Sequence, residues 1–293
     1  MSNAVYTVRN LNKIYHSKEK SNHVIRNLKL DIFENDSLGI LGANGAGKTT
    51  LIKMMIGILA SSSGTIAFCG KDNTYLTSNT YKSQIGIVLE GNRNLYWYMT
   101  ILENLLYFGS LLNVKKAIVL NRTEELLNLF DLQDAKDRKV GYLSRGMQQK
   151  VAIMIALLND PKILFLDEPT LGLDVLSKKT MIEKIKHLHA KKQLTLILTT
   201  HQIDVLEALS KRVVLLKDGC IKYDASIEQL KKFHSQDFYT IKYKNQNGEN
   251  IVHLSEAEAE LFLEKILKNK EQLISYIKEA PELEGIIVEM IKK

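Results

Sequence analysis

The stretch "LGILGANGAGKTTLIK", residues 38–53, sets four glycines, Lys48 and two threonines between apolar runs. "LGIL" reads as a short buried strand and "TTLIKMMIGIL" repeats apolar residues at helical spacing, so Gly42, Gly45 and Gly47 occupy a strand-to-helix turn. Small residues there let backbone N–H groups curl around an anion, while the following helix points the positive end of its dipole at it. The pattern G-x-x-x-x-G-K-T is met in full from Gly42 to Thr49. It predicts a nucleotide phosphate cradled by Asn44, Gly45, Ala46, Gly47 and Thr50, with Lys48 charging the terminal phosphates and Thr49 offering its hydroxyl to magnesium.

At 293 residues the chain can bury a large domain and something smaller. The longest apolar runs, "VAIMIALL" and "LTLIL", are too short to cross a bilayer and read as core elements. The first residues lack a basic, apolar, small-residue leader pattern, so the expected location is the cytosol. Cys69 and Cys220 have no metal or disulfide spacing and are expected to be free, buried thiols. The net charge of +7 is spread without a compact basic block. Residues 232–293 hold 9 Lys against 11 Asp or Glu, so the basic excess lies in the nucleotide-binding part. A phosphate ligand, a membrane surface or plain solvated lysines would each account for it.

Along the chain, "YTVRNL", "HVIRNLKLDI" and "SLGIL" read as an antiparallel strand layer leading into the phosphate strand, with turns at "HSKEKSN" and "FEND". "GTIAFCG" and "QIGIVLE" are strand-like again. From about residue 99 to 160 the texture becomes helical, as in "LENLLYFGSLL" and "RTEELLNLFDL", which marks a helical insertion. "KILFLDEP" and "LTLILTT" then flank a helix around "SKKTMIEKIKHLHAKK" in a βαβ pattern, and "RVVLLKDGCIKYD" reads as a hairpin about Asp218-Gly219. Beyond residue 231 strands "FYTIKYK", "IVHL" and "QLISYIK", a helix over "SEAEAELFLEKILKN" and a last helix after Pro281 suggest a small α+β appendage.

Magnesium beside phosphates needs hard oxygen ligands, and "ILFLDEP" supplies them at the end of an apolar strand. Asp167 is the candidate to hold the metal, and Glu168 to orient or deprotonate the attacking water. "YLSRGMQQKVAIMIALL" places Ser144 at an N-cap and Gly146 just inside the following helix.

Gly42 to Thr50, "LSRGMQQ" and "LFLDEPTLGLD", in this order and spacing, resemble the nucleotide-binding domain of ATP-binding cassette (ABC) proteins over about residues 4–230. The resemblance implies an α/β P-loop NTPase (RecA-like) core with an antiparallel β subdomain and helical insertion. The expected organisation is an ATPase domain over residues 1–231 and a C-terminal α+β extension over 232–293. It also implies two cassettes sandwiching two Mg-ATP molecules head to tail, the signature Ser144 and Gly146 of one reaching the γ-phosphate held by the other. Tyr15 matches the aromatic that stacks on adenine, with a turn tyrosine as the alternative. Asp174 matches the loop joining the two sites, and His201 the histidine that contacts the γ-phosphate.

Two departures stand out. Arg145 and Met147 replace the usual glycine and glutamine in a way similar to the drug and lipid exporter branch. Glu90 stands where the family usually has a glutamine that reaches magnesium and water. A carboxylate still ligates magnesium but adds negative charge beside the phosphates, so metal affinity, hydrolysis or coupling is expected to differ. Trp97, Tyr96 and Tyr98 follow, and either face a membrane partner, as this region does in the resembling family, or form a local aromatic cluster.

The implied function is a magnesium-dependent ATPase subunit at the cytoplasmic face of the cell membrane, driving export through a separate transmembrane permease, with a second copy of itself and no nucleic acid as partner. The rival is a soluble cassette that remodels a ribosome or DNA. Such proteins normally carry two cassettes or a long coiled coil, and this chain has one cassette and no heptad array.

Overall fold

A computed structural model describes residues 4–16, 21–72, 75–91, 95–233, 238–245, 248–269, 271–279, 283, 286 and 287. They divide into two units, Met1–Ala225 and Ser226–Lys293. In the first, β1 (Ala4–His16) and β2 (Ser21–Phe33) pair antiparallel, with Val8 opposite Leu30. Next come β3 (Ser37–Leu41), α1 (Lys48–Met55) and β4 (Ser63–Phe68), the last pairing with the other side of β1. A short helix α2 (Asn79–Lys82) precedes β5 (Ile85–Val88).

Residues 99–160 are helical as the periodicity predicts: α3 (Ile101–Leu111), α4 (Lys116–Phe130) and α5 (Arg145–Ala156). Thr100 and Glu103 close a reciprocal capping box at the start of α3. The α/β alternation then resumes with β6 (Ile163–Asp167), α6 (Val175–Lys192), β7 (Thr195–Thr199), α7 (Ile203–Leu209), β8 (Arg212–Lys217) and β9 (Cys220–Ser226). Asp218 and Gly219 both have positive φ, 52° and 77°, which suits the tight turn of the predicted hairpin.

The six-stranded sheet runs β5-β6-β7-β3-β8-β9, with parallel pairing from β5 through β8. Every position of β3, β6 and β7 is buried, because helices and the antiparallel layer cover both faces. Side chains alternate between two cores. Leu164 and Leu166 pack with the helical section, whereas Ile163 and Phe165 pack with the antiparallel layer and α1. The "SLGIL" strand thus lies in the parallel sheet, not in the antiparallel layer that the first forty residues suggested, because its five buried residues need cover on two faces.

The second unit contains α8 (Ile227–Phe233) and a sheet of order β11-β10-β12 built from β10 (Phe238–Asn245), β11 (Gly248–Ser255) and β12 (Gln272–Glu279). α9 (Glu256–Lys268) lies between β11 and β12, and Ala259 and Ile266 on it pack with Tyr239 and Ile241. The helix expected after Pro281 falls largely outside the described residues, as do parts of the "HSKEKSN" and "NQNGEN" turns. The two cysteines depart from the reading as buried thiols. Cys69 is exposed just past β4 with φ at 47°, and Cys220 is half-buried at the start of β9.

Phe165 is fully buried, its ring 6.0 Å from Tyr6. Phe165→Ala is expected to lower unfolding free energy by about 3–5 kcal/mol, read as a shift of the urea midpoint.

Candidate active site

The parallel register brings three strand ends level. Asp167, the last residue of β6, pairs with Thr199, the last of β7, and Ile40 of β3 pairs with the same threonine. Ligands of open parallel sheets bind outside such carboxyl ends. The turn after β3 opens there, and close packing accounts for two of its glycines. A Cβ on Gly42 would stand 2.4 Å from the Leu216 carbonyl oxygen, and one on Gly47, which has φ at 105°, would stand 3.0 Å from the Val24 carbonyl oxygen. Lys48 begins α1 and is buried, its ammonium donating to the Gly42 carbonyl at 2.7 Å and the Ala43 carbonyl at 3.2 Å.

A buried carboxylate is tolerated only when hydrogen-bonded. Asp167 is 2% exposed, and both of its oxygens are occupied. Thr199 Oγ1 donates to Oδ1, and Thr49 Oγ1 lies 3.4 Å from Oδ2. Glu168 follows in the left-handed region at φ 51°, a conformation that costs a non-glycine residue about 1–3 kcal/mol and gathers at functional sites. Its backbone N–H donates to the Thr199 carbonyl at 3.0 Å. Its Oε1 is 2.9 Å from His201 Nδ1, and its Oε2 accepts from Thr200 Oγ1 at 3.3 Å.

A cavity of about 570 Å³ collects these groups. Asn44, Gly45, Gly47, Lys48, Thr49, Thr50, Glu90, Asp167, Glu168 and His201 all line it. Ala46 sits in the same turn but packs into the core, with its N–H donating to Ala43. Three lining residues escaped the sequence reading: Asn22, Val24 and Leu171. Thr199 and Thr200 were missed as well, since a threonine ending an apolar run carries no signal by itself.

The remaining candidates do not line the cavity. Tyr15 is 42% exposed on β1, with the Lys13 ammonium 5.1 Å from its ring centre. Ser144 caps α5 by accepting the Met147 N–H at 3.3 Å. Asp174 caps α6, accepting the Ser177 N–H at 2.9 Å and the Ser177 hydroxyl at 2.6 Å. Those two hydrogen bonds hold the Asp174 carboxyl below the usual carboxylate range. A Cβ on Gly146 would approach Ser177 Oγ to 3.1 Å, so the start of α5 packs closely on the first turn of α6. Tyr96 belongs to a local cluster, its ring 4.7 Å from that of Tyr107, while Trp97 and Tyr98 are exposed.

The donors suit magnesium held with phosphate. Among the described residues no three His, Cys, Asp or Glu side chains gather into a self-sufficient metal cage. One carboxylate with a nearby hydroxyl is what magnesium takes when phosphate oxygens and water complete its octahedron.

The model of the ABC transporter family matches residues 25–171. The chain belongs to the ABC transporter family. The ATP-binding protein NatA of Bacillus subtilis (strain 168) is 36% identical over 224 residues, covering 76% of this chain and 90% of NatA. Nod factor export ATP-binding protein I of Burkholderia orbicola is 35% identical, covering 75% of this chain and 70% of its own. The spermidine/putrescine import protein PotA of Spiroplasma citri is 32% identical over 76% of this chain and 61% of PotA. Among solved structures, a dimeric ATP-binding cassette in a post-hydrolysis state with ADP and Pi superposes at a TM-score of 0.68 and 27% identity, covering 76% of this chain and 98% of that one.

The chain is therefore the ATP-binding subunit of an ABC transporter, an ATPase that uses Mg-ATP to drive transport. ABC ATP-binding domains dimerise and work with a transmembrane permease. No helix among the described residues is long and apolar enough to cross a membrane. Lys48→Ala is expected to weaken ATP binding by about 10- to 100-fold, the scale of a lost charge-assisted hydrogen bond, as read by titration with a fluorescent nucleotide.

Proposed function

We propose that this subunit closes with a second copy of itself around two Mg-ATP molecules, and powers export through a separate transmembrane permease from the cytoplasmic face of the cell membrane. The observation that carries the reading is the meeting of Lys48, Thr49, Asp167, Glu168 and His201 at one cavity. In this reading residues 1–231 are the ATPase domain and 232–293 an extension.

Bound magnesium neutralises phosphate charge as a Lewis acid. Thr49 and Asp167 hold it, Lys48 meets the terminal phosphates, and the N–H groups from Asn44 to Thr50 line the phosphate path. Glu168 orients the attacking water and accepts its proton, while His201 steadies that carboxylate and faces the γ-phosphate. Tyr15 stacks on adenine. Ser144 and Gly146 belong to the opposite half of the sandwich, where α5 aims its N-terminus at the second copy's γ-phosphate. The packing of Gly146 on the α6 turn capped by Asp174 supports a link between the two sites. Glu90 lines the cavity and acts as a functional variant that keeps magnesium and changes its affinity or coupling.

Export is favoured by the similarity to the Nod factor export protein and by Arg145 and Met147; import is the reading that PotA favours. Trp97 and Tyr98, 54% and 90% exposed, fit a protein-contact role at the permease.

Three measurements follow. Glu168→Gln is expected to bind ATP and accumulate as a closed dimer by light scattering; only monomers for native and mutant protein alike would end the sandwich reading. The native sequence is expected to hydrolyse ATP with magnesium, and loss of that activity unrelieved by Glu90→Gln would count against Glu90 as a functional variant of a working site. Mild solubilisation of membranes followed by mass spectrometry is expected to recover a multi-span protein with this chain, and less of it with Trp97→Ala.

A further inference from the structure

Thr199 ends β7 and Thr200 follows it; beside them Asp167 ends β6 and Glu168 follows. Both threonine side chains are fully buried, so neither hydroxyl is a solvated surface group. Thr199 Oγ1 donates to Asp167 Oδ1, on the carboxylate oxygen opposite the one facing Thr49. Thr200 Oγ1 accepts the Gln202 N–H at 3.0 Å, which leaves its own proton to point elsewhere, and Glu168 Oε2 lies 3.3 Å away. Gln202 is itself tied down, its Oε1 accepting from Thr170 Oγ1 at 3.1 Å. The 3.3 Å separation is long for O–H···O, as catalytic contacts often are outside the assembled transition state.

We infer that Thr199 and Thr200 form a tandem positioning device, Thr199 setting the orientation of the magnesium-holding Asp167 and Thr200 that of the water-orienting Glu168. The inference rests on the roles proposed above for those two acids. The register makes the arrangement possible: Asp167 pairs with Thr199 at the strand ends, and the Glu168 N–H donates to the Thr199 carbonyl at 3.0 Å, which sets Glu168 beside Thr200 just past the two strands. Glu168 is strained in backbone and clamped in side chain, with His201 at one oxygen and Thr200 at the other. A carboxylate fixed at both oxygens presents one geometry to a bound water, which is what preorganisation requires.

The test separates the two hydroxyls. Thr199→Val keeps the shape but removes the donor to Asp167, and is expected to weaken Mn²⁺ binding, followed by electron paramagnetic resonance with a non-hydrolysable ATP analogue, by about 10- to 100-fold. Nucleotide binding in chelator should match the native protein. Thr200→Val is expected to leave Mn²⁺ binding as in the native protein and to lower kcat about 10- to 100-fold with KM for ATP within about twofold. Thr199→Ser and Thr200→Ser restore the hydroxyls and should restore each property. If a valine variant fails to fold, the alanine variant deletes the same hydroxyl without added volume. Native metal affinity and kcat in the hydroxyl-free variants, or no recovery with serine, would overturn the inference. Glu168→Gln run in parallel keeps the readings apart: full hydrolysis there would remove the role of Glu168 itself, whereas an inactive Glu168→Gln beside native-like threonine variants would remove only the positioning role.

Discussion

The site depends on one constraint: a nearly inaccessible carboxylate, Asp167, at the end of a fully buried strand. An unpaired charge there would cost several kcal/mol, so the neighbouring strands must present hydroxyls at that level. The cross-strand pairing of Asp167 with Thr199 does so, and the same register aligns the end of β3, from which the glycine-rich turn departs. Burial of β6 on both faces holds the register, because a slip of one residue would send Phe165 into the wrong core. Catalytic geometry and core packing are one problem in this fold.

Much of this was legible in the sequence because periodicity and motif spacing act over short range. The phosphate turn, the helical section and the βαβ unit each lie within stretches whose own pattern specifies them. The polar groups lining the cavity could likewise be named by residue type, since phosphate and magnesium chemistry accepts few side chains. What escaped were features set by neighbours distant in sequence. Thr199 and Thr200 look like ordinary strand residues until pairing sets them beside Asp167 and Glu168. Asn22 and Val24 line the cavity only because β2 passes the glycine turn, where the Val24 carbonyl also excludes a side chain at Gly47. The cysteines were misread for the same reason: a small apolar residue at a strand end is buried or exposed according to the turn beyond it, and Cys69 sits in a left-handed turn.

The aromatic stretch after β5 shows how one segment divides between two tasks. Tyr96 supports the helical section through Tyr107 and Phe108, and Asn104, buried on α3, accepts the Tyr96 N–H at 2.9 Å. That anchoring leaves Trp97 and Tyr98 outward, two large amphipathic side chains at the surface. Core support and an outward contact surface are compatible along one short segment.

Whether a site is completed by a second copy is the central claim, and complementation tests it most directly. Lys48→Ala disables the phosphate turn and Ser144→Ala the opposing signature, so each variant alone is expected to hydrolyse ATP poorly. Mixed, they can form a dimer with one intact composite site, and the account predicts that hydrolysis returns. Two variants that stay inactive together despite forming mixed dimers, or a Ser144→Ala protein with native activity alone, would contradict it.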